Sequence, residues 1–226
     1  MTTHSPAPEQ GSPEWLAQRA GKLTASTFGD AIAVAKSGKN KGQSTAARER
    51  LMLVKAFERT AGIPKSSIDS YSLRWGKDLE PYAREAYEIE TGNVVNQVGL
   101  IVHPTYDYIA ASPDGLIGAD GGYESKCPKD EAVHMGTWMH GMPEEHAPQV
   151  QGGMMCTGRA WWDFISYDPR CGEKYQLYIE RIYRDDEYIN TVLLPGLLQF
   201  EIELRALVKR LDQRYQNMQA RLLKAA

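Results

Sequence analysis

"SPDGLIGADGGYESKCP", residues 112–128, sets an aspartate directly after a proline and answers it ten residues later with Glu-x-Lys. The intervening "GADGG" supplies the residues that a tight hairpin turn requires. Side chains alternate between faces along a strand, so Glu124 and Lys126 share a face and Ser125 points away. Asp114 is expected to close the strand before the turn, where Pro113 restricts the backbone. Two carboxylates and one ammonium then converge at a strand end. Inward carboxylates repel each other unless a proton, a lysine or a divalent cation stands between them. A hard cation with oxygen ligands, Mg²⁺ or Mn²⁺, suits this set better than zinc, held by Asp114, Glu124 and the Ser125 backbone carbonyl. Lys126 would orient or deprotonate a water there. Taken alone, the spacing occurs often by chance and fits an ordinary strand-end ion pair better, so the surrounding chain must decide.

Outward from the hairpin, period-two stretches "VNQVGLIVHP", "YDYIAASPDG" and "GGYESKCP" read as successive short strands. "APQVQGGMMCTG" reads as a helix, followed by strands "AWWDFISYDP" and "KYQLYIERIY". Upstream, "TASTFGDAIAVAK" predicts a helix with Thr/Ser caps. "STAARERLMLVKAFERTAG" predicts a second helix, capped by Ser44 or Thr45 and stopped by Gly62. A third spans roughly residues 72–90, with a boundary or kink expected at Pro81, just after Glu80. Residues 184–224 predict one or two helices interrupted near Pro195, with a stripe from Phe200 through Leu204, Leu207, Leu211, Tyr215 and Met218 to Leu222. That stripe packs on the body or on a partner subunit. The order predicts an α/β fold with a central mixed sheet flanked by helices. Residues 1–13 read as a disordered lead and residues 14–226 as a single domain.

With 226 residues, 24% charged and 42% hydrophobic, the composition is that of an ordinary globular protein with a sizeable core. No apolar run approaches the roughly 20 residues of a membrane span. The start of the chain lacks a signal-peptide pattern, so a cytoplasmic protein with no membrane partner is expected. The three cysteines lack zinc spacing and are too few for a four-cysteine iron–sulfur cluster, which leaves reduced structural thiols. "KSGKNKGQS" does not close as a phosphate-binding P-loop. Net charge is −3, yet residues 15–65 hold ten bases and three acids, net +7. Such asymmetry suits one face turned to a polyanion, with Lys36, Lys39 and Lys41 in the exposed Gly/Lys loop. His103, His134, His140 and His146 read as surface or loop histidines. Trp138, Met139 and Met142 fall in what reads as a loop.

Six blocks, "QRAGKLTAST", "RWGKDLE", "SPDG", "ESKCP", "PQVQGGM" and "YDPR", follow one another over roughly residues 13–190. In that order and spacing they resemble the PD-(D/E)XK nuclease superfamily, and within it the lambda-type (YqaJ) viral recombination exonucleases. The resemblance implies a restriction-endonuclease-like core and a Mg²⁺-dependent 5′-to-3′ double-strand DNA exonuclease. Such an enzyme releases 5′-mononucleotides and leaves 3′ single-stranded tails for phage-type recombination. It implies two Mg²⁺ ions, with Mn²⁺ able to substitute, bound by Asp114, Glu124, Ser125 and the helical Glu80. Lys126 would act on the nucleophilic water and Gln149 would help hold the lysine or water. Arg19, Ser26 and Ser112 fall where the family binds the terminal 5′-phosphate, and Thr24 lies beside them as a DNA contact. The start of a helix at "TAST" also favours an anion on physical grounds. His146 stands where the family carries a tyrosine. Duplex DNA ends, a homotrimeric ring, a single-strand annealing recombinase and a bacterial cytoplasm, from a phage or prophage gene, complete the expectation. The alternatives are a structure-selective nuclease on the same core and a non-catalytic DNA-end binding module.

Overall fold

The computed structural model describes residues 8–65 and 71–225; residues 1–7, 66–70 and 226 lie outside it. The lead expected over residues 1–13 is thus described only from Pro8, where the Gln10 amide donates to the Val98 and Pro113 carbonyls. Helix α1 (Pro13–Arg19) begins at a proline whose missing N–H costs nothing there, with Ser12 accepting from Trp15 N.

The expected central mixed sheet is present with five strands, and a second sheet of three strands accompanies it. The smaller joins β1 (Leu23–Thr24), β4 (Ile109–Ala111) and β3 (Ile101–Val102) in the order β1-β4-β3. The larger joins β2 (Val95–Asn96), β5 (Gly115–Ile117), β6 (Gly121–Lys126), β7 (Trp161–Tyr167) and β8 (Leu177–Tyr183) in that order. "VNQVGLIVHP" is therefore two strands in different sheets, because β2 finds its partner in β5 and β3 finds its own in β4. Both sheets mix parallel and antiparallel pairs: β1 runs parallel to β4, and β6 parallel to β7.

The "TAST" segment forms a 3₁₀ turn (Ala25–Thr27) leading into a helix α2 (Phe28–Ile32) much shorter than expected. It stops because Val34 bridges to Ser44 and closes the Lys-rich loop as a ribbon. Helix α3 (Ala46–Ala61) has the caps that its sequence announces: Thr45 accepts from Arg48 N, and Gly62 at φ 68° takes the left-handed position beyond its end. Helix α4 (Tyr71–Thr91) continues past Pro81, so the expected boundary does not fall there. The cost of the proline is confined to the hydrogen bond that the Lys77 carbonyl forgoes, while Ala83 and Tyr87 anchor the second half in the core.

Residues 131–140, read as loop, form helix α5 (Glu131–His140), capped by Asp130. His134 on it is fully buried, between Ser166 Oγ and the Tyr175 carbonyl, and is no surface histidine. Trp138 packs edge-on against Tyr175 and Tyr178. Helix α6 (Ala147–Thr157) follows as expected. After β8 the chain continues through α7 (Asp186–Tyr188), a π-helical turn (Ile189–Leu193) and α8 (Leu194–Ala225). The interruption expected near Pro195 is thus this π-helical turn, which ends just before α8, and Pro195 itself stands in the first turn of α8.

The larger sheet is covered on both faces. Tyr123 and Ile165 pack with Tyr87 of α4 on one face, and Trp162 and Phe164 with Val150 and Met154 of α6 on the other. A third cluster, including Leu23, Phe28, Ile109, Phe200 and Leu204, joins the smaller sheet to α2, α3 and α8. Each such buried side chain contributes about 1.5–3 kcal/mol. All three cysteines are free thiols.

Candidate active site

Asp114 does not close β4; it opens β5, just past Pro113 in the passage from one sheet to the other. The register Gly115↔Tyr123 then sets Asp114 beside the last residues of β6, where β5 has already ended as a partner. Its carboxylate takes over from the missing strand: Asp114 Oδ2 accepts from Ser125 N at 2.8 Å and from Ser125 Oγ at 3.2 Å. A ladder bond has been replaced by a carboxylate, so the open edge of β6 carries charge instead of backbone.

Strand alternation does the rest. Glu124 and Lys126 face α6, and Tyr123 and Ser125 face α4. Buried Glu124 accepts from Lys126 Nζ at 2.6 Å and, on the same Oε1, from Gln149 Nε2. Gln149 reaches it because α6 lies unusually close. A Cβ on Gly152 would stand 2.4 Å from the Phe28 ring, and one on Gly153 would stand 2.9 Å from Trp162. Desolvation first, then Asp114, pushes the Glu124 carboxyl up to about 7. Burial works against the Lys126 ammonium, but Glu124 and Asp114 together overcome it and hold the proton on nitrogen. Glu80, from the middle of α4, is likewise raised to about 7 by desolvation and by Asp114.

Arg19, Ser112, Thr24 and Ser26 meet in one cluster. Parallel pairing of Thr24 with Ala110 brings the end of α1 and the 3₁₀ turn alongside the exit of β4. Arg19 donates to Ser112 Oγ at 2.7 Å, Thr24 Oγ1 at 3.0 Å and Ser26 Oγ at 3.3 Å, with its guanidinium over the Trp15 ring. Burial lowers its pKa to about 10, opposed by Glu58 and Glu124. The guanidinium therefore stays charged in a largely desolvated place.

Two cavities flank the end of β6. The larger, of about 1070 Å³, is bordered by Ser26, Lys36, Lys126, His146 and Gln149. The smaller, of about 480 Å³, is bordered by Glu80, Asp114, Tyr123 and Ser125. Lys36 pairs loosely with Glu144 across the mouth of the larger one, at 3.8 Å. Lys39 and Lys41 sit exposed in the ribbon's turn and border neither cavity.

Among the described residues, no group of three or more His, Cys, Asp or Glu is gathered closely enough to hold a metal ion. The expected carboxylates form a coupled neighbourhood rather than a closed cage. Their chemistry still suits a hard divalent cation: they are oxygen donors, and Asp114 disfavours ionisation of both Glu80 and Glu124. The basic excess of residues 15–65 is partly spent inside the protein. Arg48 pairs with Glu203, Lys55 with Glu58 and Arg59 with Glu201, two of these acids coming from α8.

Sequence reading missed Lys77, Arg84 and Tyr123 around the smaller cavity. Their signal was the helical spacing of Lys77 and Arg84 about Glu80, hidden by the break expected at Pro81.

The family described as "YqaJ-like viral recombinase domain" matches residues 14–160. No curated protein matches the chain. Among solved structures, an alkaline exonuclease (LHK-Exo) from Laribacter hongkongensis is 37% identical, with a TM-score of 0.81 over 92% of this chain and 100% of that one. The same protein in complex with dAMP is 38% identical with a TM-score of 0.82, at the same coverage. A phage-related exonuclease from Haemophilus somnus 129PT shares the fold at 15% identity and a TM-score of 0.63, covering 84% of this chain and 96% of that one.

Proposed function

The chain belongs to the YqaJ-like viral recombinase domain family, and we propose from that premise that it is a 5′-to-3′ exonuclease on double-stranded DNA ends. One observation carries the reading. The Asp114–Glu124–Lys126 hairpin, with Gln149 on Glu124, adjoins the Arg19–Ser26–Ser112 cluster, and Ser26 and Lys126 border the same cavity. The first is a place to cut a phosphodiester, the second a place to hold a terminal phosphate. Similarity to an alkaline exonuclease seen with dAMP supports the same chemistry.

In this reading Arg19 binds the 5′-phosphate through charge-assisted hydrogen bonds, with Ser26, Ser112 and Thr24 fixing its fork. Asp114, Glu124, Glu80 and the Ser125 carbonyl would hold two Mg²⁺ ions, or Mn²⁺, which when bound supply charge neutralisation at the phosphate and a more acidic water. Lys126 orients the attacking water from within the Glu124–Gln149 contact. Its protonated state makes positioning and charge stabilisation its first role. Products are 5′-mononucleotides and a 3′ single-stranded tail suited to recombination by strand annealing. The working form in this reading is a homotrimeric ring in a bacterial cytoplasm, paired with a single-strand annealing recombinase. A ring explains repeated cutting, since an encircled duplex cannot leave sideways.

The test is digestion of linear duplexes carrying 5′-phosphate or 5′-hydroxyl ends, with Mg²⁺ or with EDTA. The reading expects mononucleotides from the 5′-phosphorylated strand, slower attack on the hydroxyl end and none in EDTA. Full activity in EDTA, or release from the 3′ end, would refute it.

A further inference from the structure

Glu80 stands on a part of α4 that the core does not hold. The buried residues of α4, Ala83 and Tyr87, both lie beyond it, and from Tyr71 to Glu80 no residue is buried. Glu80 nevertheless borders the smaller cavity together with Asp114 and Ser125. Two aromatic rings of this first half meet cations from the body. The Arg170 guanidinium lies over the Trp75 ring at 4.7 Å, and the Lys129 ammonium over the Tyr71 ring at 4.0 Å. Tyr71 and Trp75 are one helical turn apart, so both rings leave the same side of α4. The Trp75 indole N–H is buried without a hydrogen-bond partner among the described residues. What the ring offers the body is its face. Arg170 is itself fixed. Its Nε and Nη2 donate to the two carboxylate oxygens of Asp168, at 2.9 Å and 2.7 Å, and Asp168 is fully buried just past the end of β7. Nη2 also donates to the Lys129 carbonyl at 2.8 Å, just past the end of β6. One guanidinium therefore joins the exits of β6 and β7 to the first half of α4. A planar fork can pair edge-on with a carboxylate and still stack on a ring, which an ammonium cannot do.

We propose that Arg170, fixed by Asp168 and stacked on Trp75, is a positioning residue that holds Glu80 up to the Asp114–Glu124 hairpin. The assignment rests on the reading of Glu80 as a metal-binding carboxylate and deepens it. Glu124 and Ser125 come from β6 and Glu80 from α4, so their fit depends on how α4 sits across the strand ends. The two cation–ring stacks set that seat where the core does not reach. With the Trp75 stack gone, Ala83 and Tyr87 would keep the second half of α4 in place, while the first half could draw Glu80 away from Asp114. Arg170 thus acts through Glu80, and the Asp168–Arg170 pair keeps the fork flat against the ring.

The experiment is a double-mutant cycle on the full chain, with Trp75→Leu and Glu80→Gln made singly and together. Mn²⁺ binding is read by titration calorimetry, and amide hydrogen exchange over residues 71–80 by mass spectrometry. Trp75→Leu removes the ring while leaving the Asp168–Arg170 pair in place. It is expected to bind Mn²⁺ about tenfold more weakly, with faster exchange over residues 71–80. Trp75→Phe, which keeps a ring face for Arg170, is expected to recover most of that loss. In the Glu80→Gln background, Trp75→Leu should weaken binding by less than about twofold further, because its effect passes through the missing carboxylate. Should Trp75→Leu fail to fold, Arg170→Lys answers the same question, since it keeps a cation on Asp168 and gives up the stack. Wild-type Mn²⁺ affinity in Trp75→Leu, beside a weakened Glu80→Gln, would make the stack a matter of stability alone; the proposal would fall and the exonuclease reading stand. The full loss repeated on top of Glu80→Gln would mean that Trp75 acts by another route and would also overturn it. Wild-type affinity in Glu80→Gln would remove Glu80 from the metal set, and the proposal with it.

Discussion

At the scale of single residues, the site depends on groups held where water would not leave them. Arg19 is half-buried and donates to three hydroxyls, and its planar fork cannot be copied by the point charge of a lysine. Arg19→Lys should cut the preference for a 5′-phosphate over a 5′-hydroxyl end by roughly 10-fold or more, read from initial rates on the two substrates. His146, on the wall of the larger cavity against Phe164, has its pKa lowered to about 4 by desolvation and then by Lys126. The unfolded chain therefore binds a proton near pH 6.5 that the folded chain refuses until about pH 4. Stability should rise with pH across that window and be lost as pH falls through it, by up to about 3 kcal/mol. His146→Phe should flatten that part of a urea-denaturation profile; an unchanged slope would place the burden elsewhere. At this scale the sequence was most legible where chemistry is local. Glu124, Lys126 and Ser125 follow from alternation alone. The meeting of Arg19 with Ser112 does not, since only the parallel pairing of β1 with β4 brings them together.

Among elements, close helix packing places the side chains proposed to be catalytic. Gly152→Ala would drive a methyl into Phe28 at 2.4 Å, lift α6 and carry Gln149 off Glu124. A loss of about 1–3 kcal/mol in stability is expected, with a slower cleavage rate in the fraction that remains folded. Helix α3 is tied to the Arg19 turn by Glu58, which accepts from Lys55 Nζ at 2.7 Å, Gly21 N at 3.0 Å and Lys65 N at 3.1 Å. Glu58→Ala strands a buried ammonium and two backbone donors, so a loss of about 3–5 kcal/mol is expected in chemical denaturation. A change under 1 kcal/mol would mean that water replaces the carboxylate. Thr45 and Gly62 bounded α3 in the sequence because caps are written in single residues. Helix α5 was illegible because its pattern is inverted: His134 and Thr137 are buried while Val133, Met135 and Met139 are exposed. The split into two sheets was hidden for a different reason, since strand pairing is decided by partners far along the chain.

Over the whole molecule, α8 divides in two. Phe200 and Leu204 complete the core, while Leu211, Tyr215, Met218 and Leu222 prolong the same stripe into solvent. The proposed trimer gives that second half a use. Light scattering should return the mass of three chains, and Leu211→Glu with Met218→Glu should lower it without moving the thermal midpoint of the body. The charge excess of the first third belongs to this scale too. Read along the chain it looks free for a polyanion, yet α8 returns Glu201 and Glu203 to neutralise part of it. The claim beneath all of this is that the open edge of β6 is where DNA is cut. The most direct measurement compares wild type and Asp114→Ala on one 5′-phosphorylated linear duplex, following nucleotide release with Mg²⁺ and duplex binding in EDTA. The account predicts that the variant binds the duplex and releases nothing above background; release at the wild-type rate would contradict it.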